Sequence, residues 1–495
     1  MWNSINQALN MIDNFVWGVP LMVLIIAGGL LLTIRLGLLQ IRKLPLALKW
    51  MLQNEEGGKG EISSFSALCT ALSATIGTGN IVGVATAVCA GGPGALFWMV
   101  VAAFLGMATK YSEGLLAVKY RTVAEDGHSL GGPFYYIELG MGKNFKWLAK
   151  LFAFFGVCVG LFGIGTFSQV NGISSAVHGF FDPNDAFTVK ILPFLGEYSW
   201  SVIIASLILS FCVAAVLIGG VKRIASVSQI IVPFMAVIYF VFAVILICCN
   251  ITKVPAAFAT IVTAAFSPKA ITGGAVGSML IAMQKGVARG IFSNEAGLGS
   301  APIAAAAAQT NSPVRQGLVS MTGTFIDTII ICTLTGLSIV LTGAWQVEGL
   351  EGVQVTTYAF QHGLPFPAQF SSFILMLCLV FFAFTTILGW DYYSERCLEY
   401  LSGGNMKHVK IFRWIYILAV FIGPYMTVSA VWTIADIFNG LMAIPNMIAL
   451  FALSGVIVKE TRAFFQHAKE EALAEHRSFE EVCEENLNEE EAPAN

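Results

Sequence analysis

The chain has 495 residues, 56% of them hydrophobic and only 12% charged, and its mean hydropathy is +0.76. Soluble globular proteins usually contain about 25% charged residues, so this composition excludes an ordinary soluble protein. It predicts a protein that crosses a membrane many times, with the lipid bilayer as its surroundings and no nucleic acid as a partner. The formal net charge of −3 is misleading, because residues 470–495 contain ten of the 30 acidic residues.

The N-terminus and the cysteines predict neither a cleavable leader nor a disulfide framework. Residues 1–14 contain no Lys or Arg, and no small-residue cleavage site follows the next apolar run, so we expect a first membrane helix rather than a signal peptide. The ten cysteines have no CxxC or other metal-type spacing, and eight lie in apolar runs. We therefore expect buried thiols.

Long apolar runs predict eleven membrane helices. They are placed at residues 15–38, 64–90, 94–118, 148–178, 199–219, 226–250, 271–297, 316–343, 369–392, 409–430 and 433–456. With the N-terminus outside, 22 of the 27 Lys and Arg residues fall on the inner side and three outside, while Lys285 and Arg289 lie within the seventh helix. Because inner loops collect basic residues, this partition supports a plasma-membrane protein of the bacterial inner-membrane type with a cytoplasmic C-terminus.

The second predicted helix contains the segment ALSATIGTGNIVG (71–83), which a membrane helix should avoid. A glycine costs about 1 kcal/mol in a helix interior, and an unpaired backbone group in hydrocarbon costs several. We expect the helix to unwind around Ile76–Asn80, where freed amides suit a carboxylate and freed carbonyls suit a small cation. Close packing of small residues is the alternative explanation, but Thr75, Thr78 and Asn80 need polar partners and favour an unwound segment.

A second interruption is expected in residues 271–302, a glycine-rich segment that carries Ser278, Gln284, Lys285 and Arg289 at membrane depth. It lies about 200 residues after the first, with five helices in each half. One leading helix followed by two sets of five is the arrangement of the leucine-transporter-type fold, an inverted repeat. The predicted units are residues 1–62, 63–250 and 251–458, followed by an acidic cytoplasmic tail over 459–495.

The adjacent hydroxyls of Thr385 and Thr386, in the ninth predicted helix, suggest an ion site. In an inverted repeat this helix faces the first interruption. Two hydroxyls together with the freed carbonyls of Ser73 and Ile76 form a neutral oxygen cage that suits Na⁺, whereas proton coupling would more naturally use a buried carboxylate or histidine. A threonine that hydrogen-bonds to the carbonyl four residues earlier explains the pattern equally well.

Other polar residues at membrane depth leave more than one interpretation open. Asp327 in the eighth helix is either functional or an ion-pair partner of Lys285 or Arg289, and all three are candidates for gating or coupling. Glu113 and Glu295 lie near the inner surface, where we expect anchoring or gating roles. Gln169 and Asn171 face either a central cavity or a neighbouring helix; an amide such as Gln169 can donate to a carboxylate and accept from an ammonium group.

Five stretches resemble the alanine or glycine:cation symporter family, the sodium:alanine symporters. They are ALSATIGTGNIVGVATAVCAGGPGALFWM (71–99), GGPFYYIELGMG (131–142), GVARGIFSNEAGLGSAPIAAAAA (286–308), GTFIDTIIICTLTGL (323–337) and TTILGWDYYSERCLEYL (385–401). The resemblance spans residues 10–465 and implies a leucine-transporter-like 5+5 fold that imports a small neutral amino acid with Na⁺. It implies no organic cofactor and no enzymatic activity.

The resemblance also implies roles for individual residues. The substrate would be held by residues of the first interruption, the fourth helix and the ninth helix, with two methionines from the second interruption: Thr75, Thr78, Gly79, Asn80, Gln169, Trp390, Met279 and Met283. Sodium would be held by three carbonyls and two hydroxyls: those of Ser73, Ile76 and Phe382, and those of Thr385 and Thr386. The segment GSMLIAMQKG (277–286) departs from the family pattern and leaves the substrate open between alanine, glycine and glutamine.

Two other functional classes fit the sequence less well. A passive channel would need an oligomeric pore or a filter motif, whereas this chain pairs two interruptions within one protomer. A membrane enzyme would need a nucleophile with its base or a metal motif, and neither HExxH nor GxSxG occurs. Proton-coupled import remains the alternative within the transporter class.

Overall fold

The computed structural model describes residues 2–53, 55, 58–124, 127–190, 197–266, 279–425 and 428–474. The described chain is almost entirely helical. Its α-helices are α1 Trp2–Val16, α2 Val19–Arg35, α3 Leu39–Arg42, α4 Leu44–Leu52, α5 Ser64–Thr75, α6 Val84–Gly91, α7 Gly94–Lys119, α8 Pro133–Tyr135, α9 Lys146–Phe162, α10 Phe167–Phe181, α11 Trp200–Leu217, α12 Gly220–Cys249, α13 Val254–Phe266, α14 Met279–Asn294, α15 Ala301–Ala305, α16 Pro313–Thr324, α17 Thr333–Thr342, α18 Val353–Gly363, α19 Ala368–Leu401, α20 Met406–Ile422 and α21 Val428–Ala474.

Short irregular elements complete the fold. Wide π-type turns run over Gly79–Gly83, Tyr136–Gly140 and Phe325–Cys332, and 3₁₀ turns over Lys143–Phe145, Ile251–Lys253, Ala344–Gln346 and Gly423–Tyr425. Two antiparallel hairpins join β1 Thr122–Val123 to β2 Ser129–Leu130 and β3 Thr188–Lys190 to β4 Glu197–Ser199. The hairpins lie in loops between helices, so the core is built from helices alone.

Eight helical segments of the described chain are long and apolar enough to span a membrane, and a ninth follows if the bent pair α5 and Gly79–Gly91 counts as one span. These nine correspond to all the predicted spans except the seventh and the tenth. The described part of the seventh, α14, has 16 residues, and the tenth, α20, has 17. Residues 271–278, including Ser278, lie outside the described residues. The total of eleven therefore stays a prediction, as does the inverted repeat.

The first and last spans are longer than predicted. Helix α1 precedes the first predicted span and packs against α21, and the Trp17 indole donates a 2.7 Å hydrogen bond to the Asp436 carbonyl. Helix α21 continues for 47 residues, to Ala474, and so carries the last span into the predicted tail. Residues 475–495 lie outside the described part of the chain.

The fourth predicted span is not continuous. It divides into α9 and α10 at residues 163–166, where the amides of Gly163 and Gly165 both donate to the Val159 carbonyl. The Tyr416 hydroxyl oxygen lies 2.9 Å from the Gly165 carbonyl oxygen and 2.8 Å from the Ile387 carbonyl oxygen, and its one proton is shared between these two acceptors. The expectation of a single helix over 148–178 is therefore wrong. Two glycines allow the backbone to leave the helix, and a hydroxyl donor from another helix takes the place of the lost backbone hydrogen bonds.

Glycines set the closest helix contacts. A Cβ on Gly286 of α14 would lie 2.1 Å from the Ala95 carbonyl oxygen of α7, and a Cβ on Gly389 of α19 would lie 2.8 Å from the Ala74 amide of α5. Membrane helices gain little from burying apolar surface against one another, so close approach through small residues stabilises their packing. These contacts hold the second, third, seventh and ninth spans together around the interrupted segments.

Replacing Gly286 by Ala tests this packing. We expect a lower unfolding temperature in detergent, because the new methyl group meets rigid backbone and overpacking costs about 1–3 kcal/mol. Gly179→Ala is the matched control: Gly179 is exposed on α10, and its Cβ would meet nothing within 4 Å. The control should be neutral or stabilised by up to about 1 kcal/mol; equal behaviour of the two variants would contradict the close-packing account.

Candidate functional site

The second span breaks where the sequence predicts it. Helix α5 ends at Thr75, and Ile76 then adopts an extended conformation with ψ of 93°. The chain re-enters a helix through the wide turn Gly79–Gly83, and the two helical parts are bent by 51°. Ile76, Thr78 and Asn80 are all fully buried, so every backbone group of this break must find a partner inside the protein.

Two side chains supply the partners that the helix gives up. The Gly77 amide, which would reach the Ser73 carbonyl in a continuous helix, instead donates 2.9 Å to Asn80 Oδ1. The Thr78 amide donates 3.0 Å to Gln169 Oε1 of α10. Diverting these two donors leaves carbonyls at the end of α5 available for other ligands.

The ninth span places Thr386 beside one of those carbonyls. Thr386 Oγ1 donates to the Ile76 carbonyl at 3.2 Å and lies 3.0 Å from the Phe382 carbonyl. Thr385 Oγ1 also lies 3.0 Å from the Phe382 carbonyl. Ser73 is fully buried one turn before the break, and its own hydroxyl bonds back to Thr70. Of the five predicted sodium ligands, the carbonyls of Ile76 and Phe382 and the hydroxyl of Thr386 are linked by these contacts. The Thr385 hydroxyl bonds back to the Phe381 and Phe382 carbonyls of its own helix.

The substrate candidates Thr78 and Gln169 lie together at the same break. A Cβ on Gly172 would fall 2.4 Å from Thr78 Cγ2, so the fourth span presses against Thr78. Thr78 Oγ1 is buried and has no hydrogen-bond partner among the described residues. A Cβ on Gly77 would lie 2.5 Å from Thr386 Oγ1 and 2.9 Å from Gln169 Oε1, so only glycine fits between them. The break therefore holds one unused hydroxyl in a confined space.

Asn80 links the break to Asp327. Its Nδ2 donates 2.7 Å to Asp327 Oδ1, while Ser293 Oγ and Thr328 Oγ1 donate to Asp327 Oδ2 at 2.9 and 2.6 Å. The carboxylate is thus held by three donors from three different segments. The alternative in which Asp327 pairs with Lys285 or Arg289 is not what the structure shows.

Arg289 instead forms a two-pronged ion pair with Asp436 at the start of α21, with N–O distances of 2.9 and 2.7 Å. Asp13 at the end of α1 lies within electrostatic range of this pair and of Lys285. These charged residues cluster at the predicted outer end of the helices. Their position suits a gate better than a substrate contact.

The second interruption lies at residues 295–300, immediately after α14. Glu295, Gly297 and Gly299 all have positive φ values, of 57°, 91° and 81°. A Cβ on Gly79 would lie 3.2 Å from Ser293 Cα, so the two interruptions are neighbours in space. This contact brings the second and seventh spans together where both lose helical pairing.

Four predicted substrate residues lie elsewhere. Met279 is 38% exposed at the start of α14, about 22 Å from Asn294 at 1.5 Å per residue, and Met283 is one turn nearer. Trp390 is fully buried, and its Cβ lies 2.7 Å from where a Gly165 Cβ would be, at the fourth-span break. Thr75 Oγ1 bonds back to Ala71 at 3.2 Å. None of the four hydrogen-bonds to Thr78 within the described part of the chain.

Thr75 instead lines a cleft between the inner half of the second span and α16, together with Lys110, Gln316 and Gly323. The cleft runs from beside the first interruption along α5.

Sequence reasoning missed Ser293 and Asn294. Both are buried beside the first interruption, and Asn294 Nδ2 donates 3.1 Å to Thr328 Oγ1. A signal existed, since the polar run SNE (293–295) stands between an apolar helix and the glycines of AGLGS (296–300). The two methionine candidates lie toward the opposite end of α14 from these residues.

Comparison with known proteins identifies the family of the chain. The model of the sodium:alanine symporter family matches residues 2–478. A Haemophilus influenzae protein named an uncharacterized transporter is 55% identical over 94% of this chain and 97% of its own length.

Two further relatives carry more specific names. A Methanococcus maripaludis protein named sodium/alanine symporter AgcS is 46% identical over 94% of this chain and 98% of its own length. A Bacillus subtilis protein named probable sodium/glutamine symporter GlnT is 35% identical over 95% of this chain and 92% of its own length. The resemblance found in the sequence is confirmed.

Asn80→Ala tests the network of the first interruption. It leaves the Gly77 amide without its acceptor and Asp327 Oδ1 without its donor, and each buried unpaired group costs about 1–3 kcal/mol. We expect a clear fall in the unfolding temperature of the purified protein. The control is Asn144→Ala, since the Asn144 side chain is exposed. If both variants unfold at the wild-type temperature, Asn80 does not hold the break.

Proposed function

The chain belongs to the sodium:alanine symporter family, and we propose that it is a sodium-coupled importer of a small neutral amino acid, alanine or glycine. Transport would proceed by alternating access around the first interruption, with no chemical conversion of the substrate. The observation that carries the proposal is the diversion of the Gly77 and Thr78 amides to side chains, which leaves carbonyls for a cation next to an unused hydroxyl.

Five oxygens form the proposed sodium site: the carbonyls of Ser73, Ile76 and Phe382 and the hydroxyls of Thr385 and Thr386. The contacts of 3.0–3.2 Å among Ile76, Phe382 and Thr386 support it, because these oxygens are already close enough to turn toward one ion. All five are neutral, so the ion brings one net positive charge inward. Unwound carbonyls facing hydroxyls are a recurrent sodium arrangement in transporters.

The substrate site is proposed next to this ion, at Thr78, Gly79, Asn80 and Gln169. Thr78 Oγ1 has no partner in the described structure and would donate to the substrate carboxylate at the start of the outer half-helix. The amides there carry the positive end of the helix dipole, which favours an anionic group. Gln169 Oε1, already accepting from Thr78, is positioned to accept from the substrate ammonium group.

The tight contacts at the break favour a small side chain on the substrate. Gly77 has Thr386 and Gln169 within 3 Å of any added Cβ, and Gly79 has Ser293 at 3.2 Å. This favours alanine or glycine over glutamine, the named substrate of the Bacillus subtilis relative. Trp390, buried near the fourth-span break, would close the site from the inner side, and Met279 and Met283 would line the outer approach.

The coupling energy is sufficient for accumulation. One charge that crosses a membrane potential of about 100 mV yields about 2.3 kcal/mol, equal to a concentration ratio of some tens before any sodium gradient is added. We place the protein in the plasma membrane with its N-terminus outside. The five-plus-five helix repeat, preceded by one extra helix, is part of the same proposal.

Uptake by the purified protein in liposomes tests substrate and ion together. Labelled alanine, glycine and glutamine are each supplied with an inward sodium gradient, an inward proton gradient or neither. We expect alanine or glycine to accumulate with sodium only. Thr386→Ala should raise the sodium concentration for half-maximal uptake by about ten- to a hundredfold, the equivalent of one lost ligand worth 1–3 kcal/mol.

Thr386→Ser retains the hydroxyl and is the matched control, with a sodium dependence near that of the wild type. If accumulation depends on the proton gradient and is the same in both variants, the protein is a transporter whose coupling ion is not sodium. Flux without accumulation under any gradient would indicate a channel.

Thr78→Val tests the substrate site separately. The valine keeps the shape of threonine but removes the hydroxyl, so we expect KM for the amino acid to rise about tenfold or more with little change in sodium dependence. Thr78→Ser should restore KM. An unchanged KM in the valine variant would remove Thr78 from the substrate site.

A further inference from the structure

Asp391 of α19 is a buried acid that neither the proposed sodium site nor the proposed substrate site uses. Its side chain is fully buried, and both carboxylate oxygens are without a hydrogen-bond partner in the described part of the chain. Asp327, by contrast, receives three donors. A buried carboxylate that has no donor takes up a proton rather than keep its charge, so Asp391 needs a different explanation from Asp327.

The polar groups on the neighbouring turn are engaged elsewhere. Glu395 follows Asp391 by one turn on the same face of α19, and its two oxygens accept from Nε and Nη2 of Arg413 on α20 at 2.6 and 2.8 Å. The Ser394 hydroxyl donates 2.8 Å to the Trp390 carbonyl. These bonds leave the Asp391 carboxylate without a donor from the described residues of either helix.

One turn earlier, the Ile387 carbonyl offers an acceptor. A side-chain donor bonds readily to the carbonyl four residues before it in a helix, and only the protonated form of Asp391 has such a donor. The Tyr416 hydroxyl of α20 lies 2.8 Å from this carbonyl and 2.9 Å from that of Gly165, with one proton for both. Because Ile387 and Glu395 both bond to α20, Asp391 between them faces that helix.

We propose that Asp391 is the binding site of one exchangeable proton, separate from the sodium site. In the protonated form the acid donates to the Ile387 carbonyl, and the Tyr416 proton is left for the Gly165 carbonyl. On release the O–H bond of the acid breaks, the proton passes to water, and the carboxylate is left facing Arg413. The Ile387 carbonyl then depends on Tyr416 again.

Arg413 connects this proton site to water. Its side chain is 19% exposed, whereas that of Glu395, to which it is paired, is 4% exposed. Water that reaches the guanidinium group is therefore about one helical turn, or about 5.4 Å, from Asp391. The pair with Glu395 uses Nε and Nη2, so Nη1 can turn to the Asp391 carboxylate once the proton has left.

The charges around the site suit a proton better than a metal ion. Asp391 faces Arg413 and Tyr416 of α20, and Glu395 and Arg396 follow it on α19. Helix α11 has no charged residue. The basic residues of α9 and α10 lie at the ends of those helices away from residues 163–166, and they are Lys146, Lys150 and His178. A metal cation would be repelled by Arg413, whereas a proton needs one carboxylate oxygen and one acceptor.

The position of the acid gives the proton a consequence for transport, and this step rests on the proposed function. Gly165 lies at the break of the fourth span, and Gln169 follows it by four residues. Gln169 Oε1 accepts from the Thr78 amide of the first interruption. Loss of the proton draws Tyr416 toward Ile387 and weakens its bond to Gly165. The break then shifts more easily, and the side chain that pairs the Thr78 amide shifts with it.

Infrared spectroscopy of the full chain in lipid tests the proton without requiring transport. A protonated carboxylic acid has a carbonyl stretch that a carboxylate lacks and that shifts in D₂O. We expect the wild-type minus Asp391→Asn difference to contain this band at neutral pH, and we expect the band to fade as the pH is raised. Glu460→Gln is the control: Glu460 is 32% exposed and pairs with Lys119 at 2.8 Å, so its difference should contain no such band.

The asparagine keeps the shape of the aspartate and a donor for the Ile387 carbonyl, so the variant should fold. Asp391→Ser is a second variant, because its hydroxyl can also donate four residues back, and it should give the same difference band. Other buried acids contribute equally to wild type and variant and cancel in the difference.

Three infrared results would overturn the proposal. A carboxylate hydrated by buried water stays ionised and would give no band in either difference. A band that persists unchanged into alkaline solution would mean a permanently neutral acid, without exchange. Loss of the band on adding NaCl at constant ionic strength and pH would mean that the site binds sodium.

Uptake measured against internal pH tests whether the proton acts on transport. A single titrating group changes a rate by up to about tenfold per pH unit. Asp391→Asn should flatten that dependence while uptake still requires sodium, because its amide donates to the Ile387 carbonyl at every pH. A pH dependence equal to that of the wild type would contradict control of transport by Asp391. If neither wild type nor variant takes up amino acids, the proposed function fails, and the infrared result still decides the proton site.

Discussion

The rest of the structure depends on one constraint: in hydrocarbon, each backbone N–H and C=O that leaves a helix must be paired within the protein. The second span is no longer helical after Thr75, and its freed backbone amides are paired by Asn80 of the same span and by Gln169 of the fourth span. The side-chain amides of Asn80 and Gln169 fix where the chain can unwind. They also determine which carbonyls remain free, and hence where a cation can bind.

The other interruptions obey the same constraint with different donors. At residues 163–166 the Gly165 carbonyl is paired by Tyr416 of α20. At residues 295–300 the Gly297 amide is paired by Glu113 and its carbonyl by Asn446. Each unwound segment is therefore tied to a side chain from a distant helix, so a helix that moves must exchange these bonds or carry its partner along.

Much of this could be predicted from the sequence because polar residues in apolar runs are informative. Nine spans, the position of the first break, and the meeting of Thr386 with Ile76 and of Gln169 with Thr78 were all accessible from composition, spacing and the family resemblance. Glycine spacing alone could not separate a break from close packing. Gly286 allows two helices to pack closely, whereas Gly165 lies at a helix break, although both glycines fall within predicted apolar helices.

What escaped prediction depends on contacts between residues far apart in the chain. The Arg289–Asp436 pair joins residues 147 positions apart, and the Asn80–Asp327 bond joins residues 247 apart. Nothing in the local pattern says which of several buried charges will meet. The suggested pairing of Asp327 with Lys285 or Arg289 was therefore wrong, and Ser293 and Asn294 were not among the predicted site residues.

The arrangement explains how an ion bound at the first interruption could act on the second without touching it. Sodium would bind at the end of α5, where Thr386 already bonds the Ile76 carbonyl, and would stabilise the unwound form of the second span. The second interruption begins after Asn294, whose carbonyl accepts a hydrogen bond from Lys110. Between the two lies Asp327, bound by Asn80 on one side and Ser293 on the other. Because a buried, fully bonded carboxylate cannot shift toward one partner without weakening its bond to the other, displacement of either interruption is transmitted to its neighbour. A small substrate held at Thr78 would therefore be sensitive to the position of both interruptions through this one shared carboxylate.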